Sequence, residues 1–467
     1  MQRITLFHTN DLHARIEQLA RAATLIEYAR AESLEVPVLF FDGGDSEDHS
    51  VRLSNLTKGV AMHRLLSAAG CNAAAVGNAA LPRYGPAVLA AQARAASYPL
   101  LLANLRQSDG APLRGTRPSA LLQVRGVRLG LIGVTAELDG VYEKVYGLRA
   151  LPVLPLIREL AAQLRQEGAD GVLVLSHLGL AGDRALAAEV QGSVELIIGA
   201  HSHSLLPEGE RIGDVALAQA GEYGEHLGRV DLRWDGERLC IERMRADPVP
   251  LEAAPSPAVL TAVAAAENEV TRLLAEVIGE LAQPLDFAED RECGVGNLTA
   301  DALREHMGAE VGLVTAGHAF TGGLPGGPLR RGTLWEVCNS PANPALATLS
   351  GAQLLALVRT GLDPALAAER PRMFRGQARA LMHLSGAEVR DGRLLVGGVP
   401  LEPARTYRVA ATDWELDVDG GYAQPRWALD PQLDLHVILR EALEAYLALH
   451  RPVDVPMGRV AGALDAN

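Results

Sequence analysis

The first 250 residues alternate short, continuously apolar runs with longer stretches in which apolar positions recur at helical spacing. The apolar runs are Ile4–Thr9, Pro37–Phe41, Ala73–Val76, Leu129–Val134, Gly171–Ser176 and Val194–Gly199. Each has the length and bounding residues of a strand. Between several of them lie Ala-, Leu- and Arg-rich segments that read as helices: Ile16–Arg30, Val60–Ala69 and Ile157–Glu167. Strand–helix alternation of this kind predicts a layered α/β domain, and a run such as Val172-Leu-Val-Leu predicts a strand covered on both faces.

The pattern breaks at Ala246-Asp-Pro-Val-Pro-Leu-Glu-Ala-Ala-Pro-Ser-Pro-Ala258, where closely spaced prolines mark a linker. A helical segment over Ala258–Leu281 follows. A second α/β region begins near Pro284, with strand candidates at Val311–Val314 and Tyr407–Ala411 and Gly/Pro-rich loops, notably Gly317–Gly332. The expected organisation is a first domain over 1–250, a connecting segment over 251–283 and a second domain over 284–467.

A chain of 467 residues exceeds one ordinary core, in keeping with two domains. The balance of 48% apolar and 21% charged residues is that of a globular enzyme. A formal net charge of −14 disfavours a nucleic-acid duplex as partner, since that requires basic stripes. A small-molecule partner fits better. Cys71, Cys240, Cys293 and Cys338 are widely spaced and form no CxxC pair, which fits a reducing compartment. The chain opens directly into a strand-like segment, and no run reaches membrane-spanning length. The expectation is a cytoplasmic protein without a membrane partner.

The candidate chemistry sits at the C-terminal ends of the predicted strands. Asp11 and His13 follow the first strand and Asp45 follows the second through Asp42-Gly-Gly. Asn78 follows the third through Gly77, His177 follows Gly171–Ser176, and His201 and His203 follow Val194–Gly199. Ligands of open α/β sheets gather in the crevice outside such strand ends. Imidazole and carboxylate donors without thiolates suit Mn, Zn, Fe or Co rather than a structural zinc site. A carboxylate has two oxygens and can bridge two ions, which together clamp a phosphoryl oxygen.

In that order these residues resemble the calcineurin-like metallophosphoesterases. More narrowly, the chain is similar to the bacterial 5′-nucleotidase/2′,3′-cyclic phosphodiesterase family. His8-Thr-Asn-Asp-Leu-His13, Gly43-Gly-Asp45, Gly77-Asn78, Ser176-His177 and Gly199-Ala-His-Ser-His203 carry the resemblance in the first half. In the second half it rests on Val295–Arg304, Pro328–Val337 and Tyr407–Asp413 through Gly420-Gly-Tyr422. The resemblance implies a four-layer β-sandwich flanked by helices, followed by a C-terminal α/β 5′-nucleotidase domain that binds the nucleoside part. It implies one ion on Asp11, His13, Asp45 and His203, and a second on Asp45, Asn78, His177 and His201, with Asp45 as the bridge. Asp45, Asn78 and His201 are then the residues nearest the chemistry, and His318, Phe374 and Tyr422 are candidates for substrate contact.

The chain also departs from the family's pattern. The GNH(E/D) motif reads Gly77-Asn-Ala-Ala80, so the position of the family's proton-handling His is Ala79. The NGGGIR-type phosphate loop reads Ala316-Gly-His-Ala-Phe-Thr321 and lacks its Arg, and the GGDGY-type motif survives as Val418-Asp-Gly-Gly-Tyr422. Asp48, His49 and Arg83 flank the first-half loops and are candidate replacements for the missing donor. The expected activity is phosphoester hydrolysis by a metal-bound hydroxide. A missing acid–base group lowers the rate by about 10²–10⁴-fold, which spares esters with good leaving groups. The alternative is a metal-loaded nucleotide-binding protein with little or no turnover.

Overall fold

In the computed structural model, which describes residues 1–33, 35–338, 340–371 and 377–464, the opening apolar run forms the strand Gln2–Thr9. It pairs in parallel with Val38–Asp42 and antiparallel with His226–Trp234. Val38–Asp42 pairs in parallel with Ala73–Ala75. These strands belong to a seven-stranded sheet ordered Leu239–Pro248, His226–Trp234, Gln2–Thr9, Val38–Asp42, Ala73–Ala75, Leu100–Leu101, Thr116–Arg117. A six-stranded sheet is built around Gly171–His177, which lies in parallel between Val127–Thr135 and Leu196–Ile198.

The two sheets pack face to face. Leu6, Phe41 and Ala75 from the first meet Leu131, Leu173 and Ile198 from the second in one buried cluster. The outer face of the six-stranded sheet buries Ile132, Val172, Val174 and Ile197 under the helices Val153–Gln166 and Leu180–Glu189. Helix Ile16–Glu32 packs beside Val38–Asp42 and buries Leu19, Ala23 and Ile26. A central strand therefore loses solvent on both faces, which is why its sequence is continuously apolar. Each fully buried Leu or Ile contributes about 1.5–3 kcal/mol to that arrangement.

The chain divides into two compact units, Met1–Val270 and Thr271–Asn467. The stretch 251–283 contains the helix Pro257–Ala275 and the strand Val277–Leu281. The helix expected over Ala258–Leu281 thus stops at Ala275. Val277-Ile-Gly-Glu-Leu281 is extended instead, because it pairs antiparallel with Gly327–Arg330, inside the segment read as loop.

The second unit is organised on a five-stranded sheet ordered Met382–Ser385, Val311–Thr315, Thr406–Thr412, Pro344–Ser350, Gln432–Leu433. Helices Gly294–His306 and Leu439–Leu449 contribute to one core cluster, and Gly351–Gly361 contributes to another. All four cysteines are unpaired. Among the described residues, no helix is long and apolar enough to cross a membrane.

Candidate metal centre

Three parallel neighbours of the seven-stranded sheet end side by side, and the loops after them carry Asp11, His13, Asp45 and Asn78. Two parallel neighbours of the six-stranded sheet end with His177, the last residue of its strand, and with the loop holding His201 and His203. Because the sheets are stacked, side chains far apart in sequence meet at one end of the sandwich. Asp11, Asp45 and His177 are buried, while His13, Asn78, His201 and His203 are partly exposed around them.

The donor atoms are closely spaced. His177 Nε2 lies 3.2 Å from Asp45 Oδ2 and 3.9 Å from Asp11 Oδ1. It lies 3.1 Å from Asn78 Oδ1. His203 Nε2 lies 3.6 Å from Asp11 Oδ1 and 3.2 Å from His13 Nε2. The His201 ring centroid is 5.2 Å from that of His177. Among the described residues, two groups have ligand atoms mutually within 4.8 Å: Asp11, His13 and His203, and Asp11, Asp45 and His177. The carboxylate shared by these two groups is Asp11, whereas Asp45 belongs to one of them.

Backbone conformation is spent on this geometry. Asp11, His13, Asp45, His201 and His203 all have positive φ, between 43° and 74°. Left-handed conformation in non-glycine residues costs on the order of 1 kcal/mol or more each and clusters at functional sites. Gly44, at φ +103°, is required: a β-carbon there would lie 2.8 Å from the Gly77 nitrogen and 2.9 Å from His177 Nδ1.

Outer groups fix the ligands. His177 Nδ1 donates to the Gly43 carbonyl at 3.0 Å, leaving Nε2 toward Asp45 and Asn78. His203 Nδ1 faces the Glu222 carboxylate, leaving Nε2 toward His13 and Asp11. This is the usual way in which a ligating imidazole has its tautomer set. Asn10 donates to Asp11 Oδ2 at 2.8 Å and to the Gly221 carbonyl at 2.6 Å. The Ala79 amide donates to Asp45 Oδ1 at 2.7 Å, so position 79 touches the centre through its backbone. Behind His177, Ser176 donates to Asp183 at 2.5 Å, and burial pushes that carboxyl up to about 7. Tyr142 is fully buried, and burial together with the Asp45 charge pushes its phenol up.

The electrostatics match a cation site. Burial alone would raise the Asp45 carboxyl, but the His177 charge and hydrogen bond outweigh it and hold it at about 2. Burial alone would lower His177, but Asp45 and Asp11 hold it at about 9. Burial raises Asp11 and lowers His201. The His177 proton is what balances two buried carboxylates, a task that divalent cations take over without a proton. The donor set of carboxylate, imidazole and amide oxygen fits such ions.

The remaining candidates have contacts of their own. Asp48 accepts from the Ser50 amide at 2.7 Å, His49 is exposed, and Arg83 is buried with its guanidinium 5.1 Å from the Tyr84 ring. In the second unit, His318 Nε2 faces Glu415 at 2.9 Å and Nδ1 lies 3.3 Å from Ser340 Oγ. Tyr422 is 2% exposed, beneath the Arg379 guanidinium. Both of these side chains are drawn inward, His318 by the buried Glu415 and Tyr422 by the apolar cluster around it. Phe374 lies outside the described residues. Sequence reading missed Asn10, Asp183 and Glu222. Asn10 lies inside the opening motif and could have been flagged; Asp183 and Glu222 carry no spacing signal.

Residues 277–425 match the family model described as 5′-nucleotidase, C-terminal domain. The chain is 29% identical to the uncharacterized metallophosphoesterase YunD of Bacillus subtilis over 432 residues, 88% of this chain and 92% of that protein. It is 28% identical to a 5′-nucleotidase of Diplobatis ommata over 64% of this chain and 58% of that protein. Among solved structures, the 5′-nucleotidase precursor of Thermus thermophilus aligns over 100% of both chains with a TM-score of 0.56 and 24% identity. The NAD nucleotidase of Haemophilus influenzae aligns over 99% of both with a TM-score of 0.63 and 14% identity.

Proposed function

The chain belongs to the 5′-nucleotidase family, phosphoester hydrolases with a metallophosphoesterase N-terminal domain and a 5′-nucleotidase C-terminal domain, and we propose that it hydrolyses nucleotide-type phosphoesters with activated leaving groups at a pair of divalent cations. The observation that carries this reading is the convergence of Asp11, His13, Asp45, Asn78, His177, His201 and His203 from five strand ends. Asp11, His13, Asp45 and His203 would hold one ion; Asp45, Asn78, His177 and His201 would hold the other. The Asp11 carboxylate belongs to both groups of closely spaced donor atoms. When bound, such a pair supplies Lewis acidity and acidifies water.

The chain's own residues do the rest. His177 and His203, locked through Nδ1, present a fixed Nε2 each. Asn78 presents its amide oxygen toward His177 and stands between the buried floor and solvent. His201, with its backbone amide donating to Asp11 at 3.0 Å, orients one flank. Position 79 contributes a methyl group where an acid–base side chain would assist departure of the leaving oxygen. A strained cyclic ester, or a leaving group that needs no proton, is therefore favoured over the unstrained alkoxide ester of a plain 5′-monophosphate.

Purified protein with Mn²⁺ should turn over 2′,3′-cyclic AMP, ADP and p-nitrophenyl phosphate faster than AMP. A preference for AMP over all three would overturn the reading. Nucleotide binding with metal and no turnover of any of them would favour a nucleotide sensor instead.

A further inference from the structure

At the rim of the proposed metal centre a guanidinium is held in place, and among the described residues it has no ion-pair partner. Arg15 is exposed, and its Cζ lies 4.4 Å from the centroid of the Tyr223 ring. Tyr223 is itself fixed: its amide donates to the Asp11 carbonyl at 2.8 Å, and its backbone is left-handed at φ +58°. The same ring meets His13 edge-on at 5.8 Å and His203 at 6.1 Å between centroids. One aromatic side chain thus carries the guanidinium on its face and borders two metal-binding imidazoles. The nearby carboxylates are engaged elsewhere, Glu222 with His203 and Glu17 with Arg21. The hydrogen bond of Arg15 is a long one, 3.4 Å to the His13 carbonyl. A stacked arginine with unspent donors is preorganised to take an oxyanion in a bidentate fork.

We propose that Arg15 is a substrate-binding residue that selects phosphoric anhydrides, by holding the phosphate that lies beyond the one seated in the metal centre. This rests on the hydrolytic reading above and narrows it. In the step this favours, water adds to the terminal phosphorus and the bond from that phosphorus to the bridging oxygen breaks. The electron pair stays on that oxygen, which becomes part of a departing phosphate monoester, and the proton lost by water passes to solvent. No redox partner is involved. A departing phosphate has a second pKa of about 6 and leaves without a proton donor. The methyl group at Ala79 and the guanidinium at Arg15 therefore point to the same substrate class: one removes the acid that a poor leaving group needs, the other neutralises the charge of a good one.

The test compares the Mn²⁺-loaded full chain with Arg15→Ala and Arg15→Lys. Calorimetry measures binding of methylenediphosphonate, which cannot be hydrolysed, against inorganic phosphate. Kinetics measure kcat/KM for ADP against p-nitrophenyl phosphate. Arg15→Ala should weaken the diphosphonate about tenfold more than phosphate, as loss of a charge-assisted contact predicts. It should lower the ADP to p-nitrophenyl phosphate ratio by a similar factor, and Arg15→Lys should recover part of both. Equal losses for the paired ligands, or none, would overturn the inference. Loss of diphosphonate selectivity in a protein that hydrolyses no ester would sink the hydrolytic reading and leave Arg15 as an anion-binding residue. Hydrolysis with an unchanged ratio would do the reverse.

Discussion

Gly77→Ala adds one methyl group at the most crowded point of the proposed centre. A β-carbon there would overlap the backbone nitrogen and Oδ1 of Asp45 and lie 2.7 Å from its Cγ. Carbon–carbon contacts settle near 3.5–4.0 Å, so the Asp45 loop must retreat by about 1 Å. The carboxylate then loses the 2.7 Å hydrogen bond from the Ala79 amide and its 3.2 Å approach to His177. Overpacking of this kind costs about 1–3 kcal/mol of stability, too little to unfold a unit with this much buried core. A misplacement of about 1 Å in a catalytic constellation costs about 10²-fold in rate. Gly77→Ala is therefore expected to fold, with a modestly lower urea midpoint, to bind Mn²⁺ more weakly by calorimetry, and to lose about 10² in kcat/KM. A variant that binds two equivalents of Mn²⁺ as tightly as wild type and retains activity within threefold would show that Asp45 does not hold the metals as argued.

Three further changes probe separate parts of the molecule. Ala79→His introduces an acid–base group where the backbone is ordinary (φ −65°, ψ −38°) and the side chain partly exposed, so AMP hydrolysis should rise by up to about 10² in kcat; a fall would mean that the site works through a different donor. Glu222→Gln removes the carboxylate that fixes the His203 tautomer, and Mn²⁺ affinity by calorimetry should drop by about 10–100-fold, with no drop counting against this supporting role. In the second unit, burial alone would raise the Glu415 carboxyl, but the facing His318 and the hydrogen bonds from Thr412 and Thr315 hold it at about 2, below the ordinary 4.5. Its contribution is fully present above pH 4.5 and is lost as pH falls toward 2, so urea midpoints of this unit should fall over that window. Glu415→Gln should lower the neutral-pH stability by about 3–5 kcal/mol and flatten the acid limb, and an unaltered acid limb would refute the assignment.

The layered architecture was legible because buried parallel strands must be continuously apolar, and Leu173, Val174 and Leu175 have no solvent-facing side to betray. The connecting segment was less legible. Ala258–Leu281 reads as one helix because its apolar spacing continues past Ala275, and only pairing with Gly327–Arg330 makes Val277–Leu281 extended. Local propensity cannot encode a partner strand some fifty residues away in the chain. The same limit applies to the second unit, where the inward pull of Glu415 on His318 follows from a contact that no spacing rule anticipates.

The sequence alone supplies the candidates for the proposed metal centre: the motifs at five strand ends point to Asp11, His13, Asp45, Asn78, His177, His201 and His203, and place Ala79 beside Asn78. It also determined that each ligand follows an apolar strand, since side-chain chemistry and strand length are both local properties. Only the tertiary structure decided that each group of donors draws on both stacked sheets, that Asp11 belongs to both groups, that Glu222 and the Gly43 carbonyl aim the His203 and His177 rings, and that Asn10 holds the Asp11 carboxylate. It alone placed Arg15 on Tyr223 beside His13 and His203. The physical reason is that orientation and charge balance are set by packing between distant segments, while the sequence signals only what each segment can supply.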